Sequence, residues 1–451
     1  MPGTVAGWDE ALERYGTFSL RRALRPAIEV AREGFVIDRT FFEQTQANAP
    51  WFDDLPASEA LFLDPDGTPR DVGSVFRNPD LAKTYARIAK LGPKGFYRGA
   101  VAAAIADAVR APAVAADADH VWRPGVMKVR DLKRYRALQR PPTRVSYRGL
   151  DVWGIGPPSS GGSTVGESLN LLSGFDLSGD RTRALHLSFD ASRVAFADRG
   201  AWLADPAFFD VPLRGLLSSG FADERRALID PSRAGSSPLA PGDPRPYDDE
   251  AGTSGEAAAT LTRAGSTTHI TTADAGGTVV SYTFTIESTG GNGMVVPGWG
   301  FLLNNELTDF DYGSTTHPNR VEAGKRPRSS MSPTIVTSAG SPRLALGSPG
   351  GSTIITTVLQ LLVDTVDLDR SLPAAIAAPR ATQRNTATTL AEPAFISSAE
   401  GQQLAARYGH ALAPTGEIGA ATGIAFLGDG TLQAAAEPAR RGGGNAQVTT
   451  P

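Results

Sequence analysis

A layered α/β architecture, with sheets enclosed by helices, is the fold class that this 451-residue sequence predicts. Three observations carry the prediction. Apolar residues recur at helical spacing through most of the chain up to about residue 230. After a polar stretch the pattern switches to the period-two alternation of paired strands rich in Thr and Val. A helix then follows directly behind the glycine pair Gly350-Gly351.

Each element has a local reason. Leu20 to Glu33 reads as a helix broken at Pro26, which has no N–H for the helical ladder, and stopped by Gly34. Leu81 to Leu91 ends at Gly92, and Tyr97 to Arg110 is an alanine-rich amphipathic helix. Arg144 to Ile155 reads as two strands turned at Tyr147-Arg148-Gly149, and Arg183 to Trp202 returns to helical spacing. From Ser232 to Arg263 the sequence is Pro, Gly, Ser, Ala and acidic residues with almost no aromatics. That composition buries too little apolar surface to order itself, so a mobile linker is expected there. Thr267 to Ala273 and Thr278 to Ile286 alternate as a hairpin around Asp274-Ala275-Gly276-Gly277, and further hairpins are expected at Thr334–Leu346 and Ile424–Ala436. The helix behind the glycine pair is expected from Ser352 to Val363.

Composition removes several function classes. Hydrophobic residues make up 41% and charged residues 20%, as in ordinary globular proteins. Lys and Arg total 44 against 48 Asp and Glu, a formal net charge of −4 that gives no reason to expect nucleic acid or an anionic membrane as partner. No apolar run approaches the ~18 residues that span a bilayer. The first residues, Met1-Pro2-Gly3-Thr4-Val5-Ala6, show neither a basic nor an apolar leader region. The count of zero cysteines excludes disulfides and thiol catalysis. The histidines His120, His186, His269, His317 and His410 have no metal-ligand spacing, and neither a metal nor a cofactor is expected.

The stretch Gly265-Ser266-Thr267-Thr268-His269-Ile270 carries the chemistry. If the Ser266–Thr267 bond breaks, Thr267 becomes a chain terminus, its hydroxyl the nucleophile and its freed α-amine the nearby base. His269, two residues on and on the same strand face, is expected to be structural.

Motifs then accumulate in order: Thr267-Thr268-His269, Asn304-Asn305-Glu306-Leu307-Thr308-Asp309-Phe310, Lys325-Arg326-Pro327-Arg328-Ser329-Ser330-Met331-Ser332-Pro333 and Gly347-Ser348-Pro349-Gly350-Gly351. With Pro2-Gly3-Thr4-Val5-Ala6-Gly7, Pro157-Pro158-Ser159-Ser160-Gly161-Gly162 and Ala197-Asp198-Arg199 in the first half, the chain resembles the γ-glutamyltranspeptidases along nearly its whole length. These are N-terminal nucleophile hydrolases that cleave themselves into a large and a small subunit. The resemblance implies a four-layer αββα sandwich, a large-subunit portion 1–266 containing the linker 232–263, and a small subunit 267–451. It implies a heterodimer of the two pieces after self-cleavage between Ser266 and Thr267.

Residue by residue, the resemblance puts the nucleophile at Thr267 and its hydroxyl partner at Thr285, otherwise a plain strand threonine. It puts the oxyanion hole at Gly350 and Gly351, a segment that would otherwise read as a strand-to-helix turn. Glu306 and Asp309 match acids that grip the substrate ammonium and would otherwise be a solvated pair. Ser329 and Ser330 match donors to the substrate carboxylate and would otherwise be turn hydroxyls. Glu287 stands where many members have asparagine at an amine-contacting site.

The implied substrate is a glutathione-like γ-glutamyl amide, with water, an amino acid or a peptide as acceptor. An acylase of the same mechanism acting on a glutaryl or cephalosporin-type amide is the alternative. The stretch from Asp309 to Lys325 is short, which predicts a pocket open to bulkier substrates. The opening motif is internal in full-length members. The resemblance therefore implies that an earlier segment, with an arginine that pairs with the substrate carboxylate, lies outside this sequence. From this follow the expectations of impaired turnover and poor solubility, up to a form that is no longer an enzyme. As written the chain has no leader and reads as cytoplasmic, whereas family members are often secreted or periplasmic.

Overall fold

The computed structural model describes residues 2–248 and 265–449. It divides into two compact units, residues 1–139 with 286–306, and residues 140–285 with 307–451.

The first unit is helical. Its helices include Thr4–Tyr15, Arg25–Glu33, Arg39–Phe52, Pro79–Leu91 and Gly99–Arg110. The break expected at Pro26 falls at Leu24, because Pro26 sits in the first turn of the second helix, where no N–H is needed. The helix expected from Leu81 begins earlier, at Pro79, because Asn78 caps it by accepting from Leu81 N–H. Val5, Leu24, Ile88, Tyr97, Val101, Ile105, Leu132 and Val296 form the core. The returning segment is tied in by side chains: Ser58 Oγ donates to Gly293 O (2.7 Å) and Thr84 Oγ1 to Trp299 O (2.7 Å).

The second unit is built on an antiparallel sheet. Its strands are β1 (Thr143–Tyr147), β2 (Leu150–Gly154), β5 (Thr334–Ser338), β6 (Ser341–Gly347), β7 (Thr422–Phe426) and β8 (Leu432–Ala436). The order across the sheet is β8-β7-β6-β5-β2-β1. Arg148 (φ 51°) and Gly149 (φ 76°) make the left-handed turn that joins β1 to β2, as the alternation predicts. Val152 pairs with Val336, and Gly347 with Thr422.

One sheet face is covered by helices α1 (Gly161–Leu172), α2 (Arg181–Trp202) and α3 (Thr353–Leu362). Val145, Val152, Val336, Leu344 and Leu346 of the sheet pack with Val165, Leu169, Leu187, Ile355 and Val358 of the helices in one core. Burying each such side chain stabilises the fold by roughly 1.5–3 kcal/mol. Helix α2 is enclosed on its far side too, where Leu185 and Phe189 pack with Phe395, Leu404 and Tyr408.

A separate hairpin, β3 (Gly265–Ala273) with β4 (Val279–Ser288), lies against the other sheet face. Ser281 Oγ donates to Leu346 O (3.1 Å), and Thr422 Oγ1 to His269 O (3.4 Å). The fold is thus of the mixed α/β class, with sheet stacked on sheet and helices outside.

The expected mobile linker, 232 to 263, is anchored over its described part. Gly235 N–H donates to Asp190 (3.0 Å), Leu239 N–H to Asn385 (2.7 Å), and Trp202 Nε1–H to Gly242 O (2.8 Å). The segment then makes the turn Arg245–Tyr247. Backbone hydrogen bonds to side chains distant in sequence do here what apolar burial does elsewhere, and composition cannot show them. Residues 249–263 of that linker lie outside the described residues.

Candidate active site

Hairpin β3–β4 places the threonines. Alternation puts Thr267 and His269 on the buried face of β3, with Thr268 and Ile270 exposed. Thr267 Oγ1 donates to Thr285 Oγ1 (3.1 Å), which in turn donates to the carbonyl oxygen of Ser266 (2.9 Å). One hydroxyl therefore touches both the candidate nucleophile and the carbonyl it would attack.

His269 is a packing residue, as expected. Its Nδ1 meets Thr283 Oγ1 at 2.7 Å and its Nε2 meets Thr271 Oγ1 at 3.0 Å. Burial lowers its pKa to about 4, so the ring is neutral near pH 7. A Cβ on Gly347 would stand 2.3 Å from His269 Cε1, so glycine is required where the ring crosses β6. Ser281 reaches Leu346 O and His269 lies over Gly347.

Gly350 (φ 137°) and Gly351 (φ 59°) are both in the left-handed region. Gly350 O accepts from Thr353 N–H (3.2 Å) and Thr353 Oγ1 (2.8 Å), turning that carbonyl into the start of α3. The Gly350 and Gly351 amides donate to no acceptor among the described residues. Two such amides at a helix N-terminus suit a developing oxyanion.

Ser329 and Ser330 are held by motifs from the first half of the chain. Ser160 N–H and Oγ both donate to Ser329 O (2.8 and 2.7 Å), and Ser159 Oγ donates to Met331 O (2.7 Å). A Cβ on Gly161 would lie 2.2 Å from Met331 O, which explains glycine there. Arg199 Nε donates to Ser160 Oγ (2.7 Å) and its Nη2 to Ser330 Oγ (2.8 Å). With its oxygen already accepting, Ser330 keeps its own proton to donate elsewhere. Burial, then the nearby Arg328 guanidinium, push the Arg199 pKa well below its ordinary value, with Asp309 opposing.

Glu306 and Asp309 open and close the single turn Glu306–Asp309, in which residues three apart share a face. Asp309 O accepts from Asn319 Nδ2 (2.7 Å). Glu287, with φ 73° unusual for a non-glycine, accepts from Ser288 Oγ (2.6 Å) and from Asn305 Nδ2. Sequence reasoning assigned no role to Asn305 or Arg199, although both lie inside the quoted motifs. It also passed over Arg384, whose Nη1 donates to Ser352 Oγ directly after the glycine pair. His186 and His410, far apart in sequence, meet at 2.9 Å beside Asp190, a contact that no sequence spacing could reveal. Asp190 is ion-paired with Arg193 (2.5 Å).

Residues 1–447 match the family described as Gamma-glutamyltranspeptidase. A glutathione hydrolase proenzyme of Bacillus subtilis (strain 168) is 37% identical over 84% of this chain and 63% of its own length. The glutathione hydrolase proenzyme of Escherichia coli (strain K12) is 35% identical with the same coverage, so the chain spans 63% of the length of these relatives. Acylase ACY 1 proenzyme of Pseudomonas sp. (strain SE83) is 37% identical over 97% of this chain and 73% of its own. Among solved structures, the cephalosporin acylase from Bacillus halodurans superposes with a TM-score of 0.81 at 27% identity, covering 100% of this chain and 78% of that one. The fold is that of the N-terminal nucleophile hydrolases. With the family match running through residues 1–447 and relatives above one-third identity over most of its length, the chain belongs to the gamma-glutamyltranspeptidase family.

Proposed function

We propose that the protein is a self-maturing threonine amidohydrolase that transfers a γ-glutamyl group from a glutathione-like amide to water or an amine. The observation that carries this reading is the hydrogen-bonded run from Thr267 Oγ1 through Thr285 Oγ1 to Ser266 O. In the precursor, Thr267 Oγ1 attacks the Ser266 carbonyl carbon, and its proton passes to the departing amide nitrogen. The C–N bond breaks, leaving Ser266 as an ester on Thr267 that water hydrolyses. The freed α-amine then serves as base when the same hydroxyl attacks the donor amide. The Gly350 and Gly351 amides stabilise the tetrahedral oxyanion, Thr285 orients the nucleophile, and the donor's amine leaves with the proton. Water or an acceptor amine then releases the acyl group. Asp309, with Glu306 in the same turn and Glu287 on β4, is assigned to the donor's ammonium. Ser329 and Ser330 are assigned to its carboxylate. The pieces 1–266 and 267–451 remain together as a heterodimer.

A second reading, an amide acylase acting on a glutaryl or cephalosporin-type acyl group, is favoured by the likeness to Acylase ACY 1 and to the cephalosporin acylase structure. The ammonium distinguishes the two. An acyl group without an α-amine needs no partner for a cation, which is the role assigned here to Asp309. Purified protein should run as two bands, the smaller beginning at Thr267 by N-terminal sequencing, and Thr267→Ala should remain one inactive band. Asp309→Ala should lower kcat/KM on a γ-glutamyl anilide by about thirty- to a thousandfold, the loss of a charge-assisted contact worth roughly 2–4 kcal/mol. Equal turnover of glutaryl and γ-glutamyl anilides by the unaltered protein would favour the acylase.

A further inference from the structure

We propose that Arg384 is a carboxylate-binding residue of this site alongside Ser329 and Ser330, a role that the family motifs do not assign to it. The proposal rests on the reading of the site as an acyl-transfer centre, and it deepens that reading by naming what recognises the acyl group's far end.

Arg384 follows the short strand Ala381–Thr382, and its approach is fixed on both sides. Thr382 Oγ1 contacts Thr356 Oγ1 of α3 at 2.8 Å, and Gln383 O accepts from Ser192 Oγ of α2 at 2.7 Å. Asn385, next in the chain, bonds both the N–H and the O of Leu239 (2.7 and 3.0 Å). The backbone at 384 is therefore clamped between the N-terminal end of α3 and the middle of α2. From there the guanidinium reaches the loop of the glycine pair, where Nη1 donates to Ser352 Oγ. It also lies close enough to Arg199, the residue that holds Ser330, for the two guanidiniums to repel.

Its other donors meet no acceptor among the described residues. The Nε–H of Arg384 is buried and meets no acceptor, and no carboxylate lies within ion-pair distance of the guanidinium among the described residues. A half-buried guanidinium with no anion among the described residues is unfavourable, and burial accordingly lowers its pKa. The arrangement suits an anion supplied from outside, because the unused Nε and the planar fork can take a carboxylate bidentately. Asp309 is near enough to Arg199 to counter its charge, so an acid and an unpaired arginine both lie around that side chain. An α-amino acid head group carries an ammonium and a carboxylate on one carbon, and this pair is complementary to it. A glutaryl group would present the same carboxylate without the ammonium. Arg199, with two of its nitrogens spent on Ser160 and Ser330, acts behind Ser330 as a positioning residue.

The test uses the matured protein with three anilide donors: γ-glutamyl, its α-methyl ester, and glutaryl. Arg384→Gln is expected to raise KM for the γ-glutamyl and glutaryl donors roughly ten- to a hundredfold, leaving kcat within about threefold and the ester unaffected. An equal change on the ester, or an unchanged preference for the free carboxylate, overturns the assignment. If Arg384→Gln remains an unprocessed single chain, Arg384→Lys is read instead. It keeps the charge but not the fork, and its preference for carboxylate over ester should fall about tenfold. A preference equal to that of the unaltered protein overturns the assignment. Absence of turnover on all three donors by the unaltered protein would sink the acyl-transfer reading itself, an outcome distinct from either of these.

Discussion

Among single residues, His269 shows how a polar side chain two positions from the candidate nucleophile can be a stability element and not a base. Both ring nitrogens are occupied by threonine hydroxyls, and burial lowers the pKa from 6.5 to about 4. The unfolded chain therefore binds a proton between pH 6.5 and pH 4 that the native protein does not. The sign follows: stability from this residue is complete above pH 6.5 and declines as the pH falls toward 4, by about 3 kcal/mol at most. His410, lowered to about 3 by burial with His186 and Arg193 adding to it, acts in the same direction. Melting curves at about pH 7.5 and about pH 4.5 should show a smaller acid loss for His269→Gln than for the unaltered protein. Equal losses would mean that the ring titrates normally in the folded state.

At the scale of elements, the junction between β6 and α3 concentrates the backbone requirements. Strand β6 ends at Gly347 under the His269 ring, and two glycines with positive φ then turn the chain into α3, their amides donating to no acceptor among the described residues. An alanine at 350 would hold φ 137° only under strain, and its Cβ would lie 2.5 Å from Thr353 Oγ1. Gly350→Ala should therefore turn the amides away from the proposed oxyanion position. The expected result is a fall in kcat of roughly a hundred- to a thousandfold, with KM changed far less. Steady-state kinetics on a γ-glutamyl anilide would check it. A matching rise in KM at constant kcat would place the glycine in ground-state binding instead.

Across the whole molecule, the six-stranded sheet crosses the proposed cleavage point. β1 and β2 precede Ser266, β5 to β8 follow it, and β2 pairs with β5 from Asp151↔Thr337 to Gly154↔Thr334. The core beneath is shared as well, with Val165 and Leu169 on one side of the break and Ile355 and Val358 on the other. Cutting one bond removes none of these contacts. The two fragments should therefore co-elute in native gel filtration and separate only in denaturant, in the same transition that unfolds the sheet. Fragments that separate in native buffer would show that the ladder between β2 and β5 does not hold the pieces together.

The sequence by itself determined what local chemistry controls. Period-two alternation fixed which face of β3 holds Thr267 and His269, Arg148-Gly149 fixed a hairpin, and Gly34 and Gly92 fixed helix ends. The family motifs mark the threonines, glycines, serines and acids of the candidate site. Tertiary structure alone decided the rest, because the deciding partners are distant in sequence. Ser160 holds Ser329 from 169 residues away, and Arg199 holds Ser330 from 131. Residues 235–242 looked like linker because their anchors, Asp190, Asn385 and Trp202, lie elsewhere in the chain. Arg384 had no motif to mark it, since a guanidinium becomes informative only when the fold half-buries it with no anion among the described residues. Spacing and propensity report on neighbours a few residues away. Burial and hydrogen-bond completion depend on which distant segments the fold brings together.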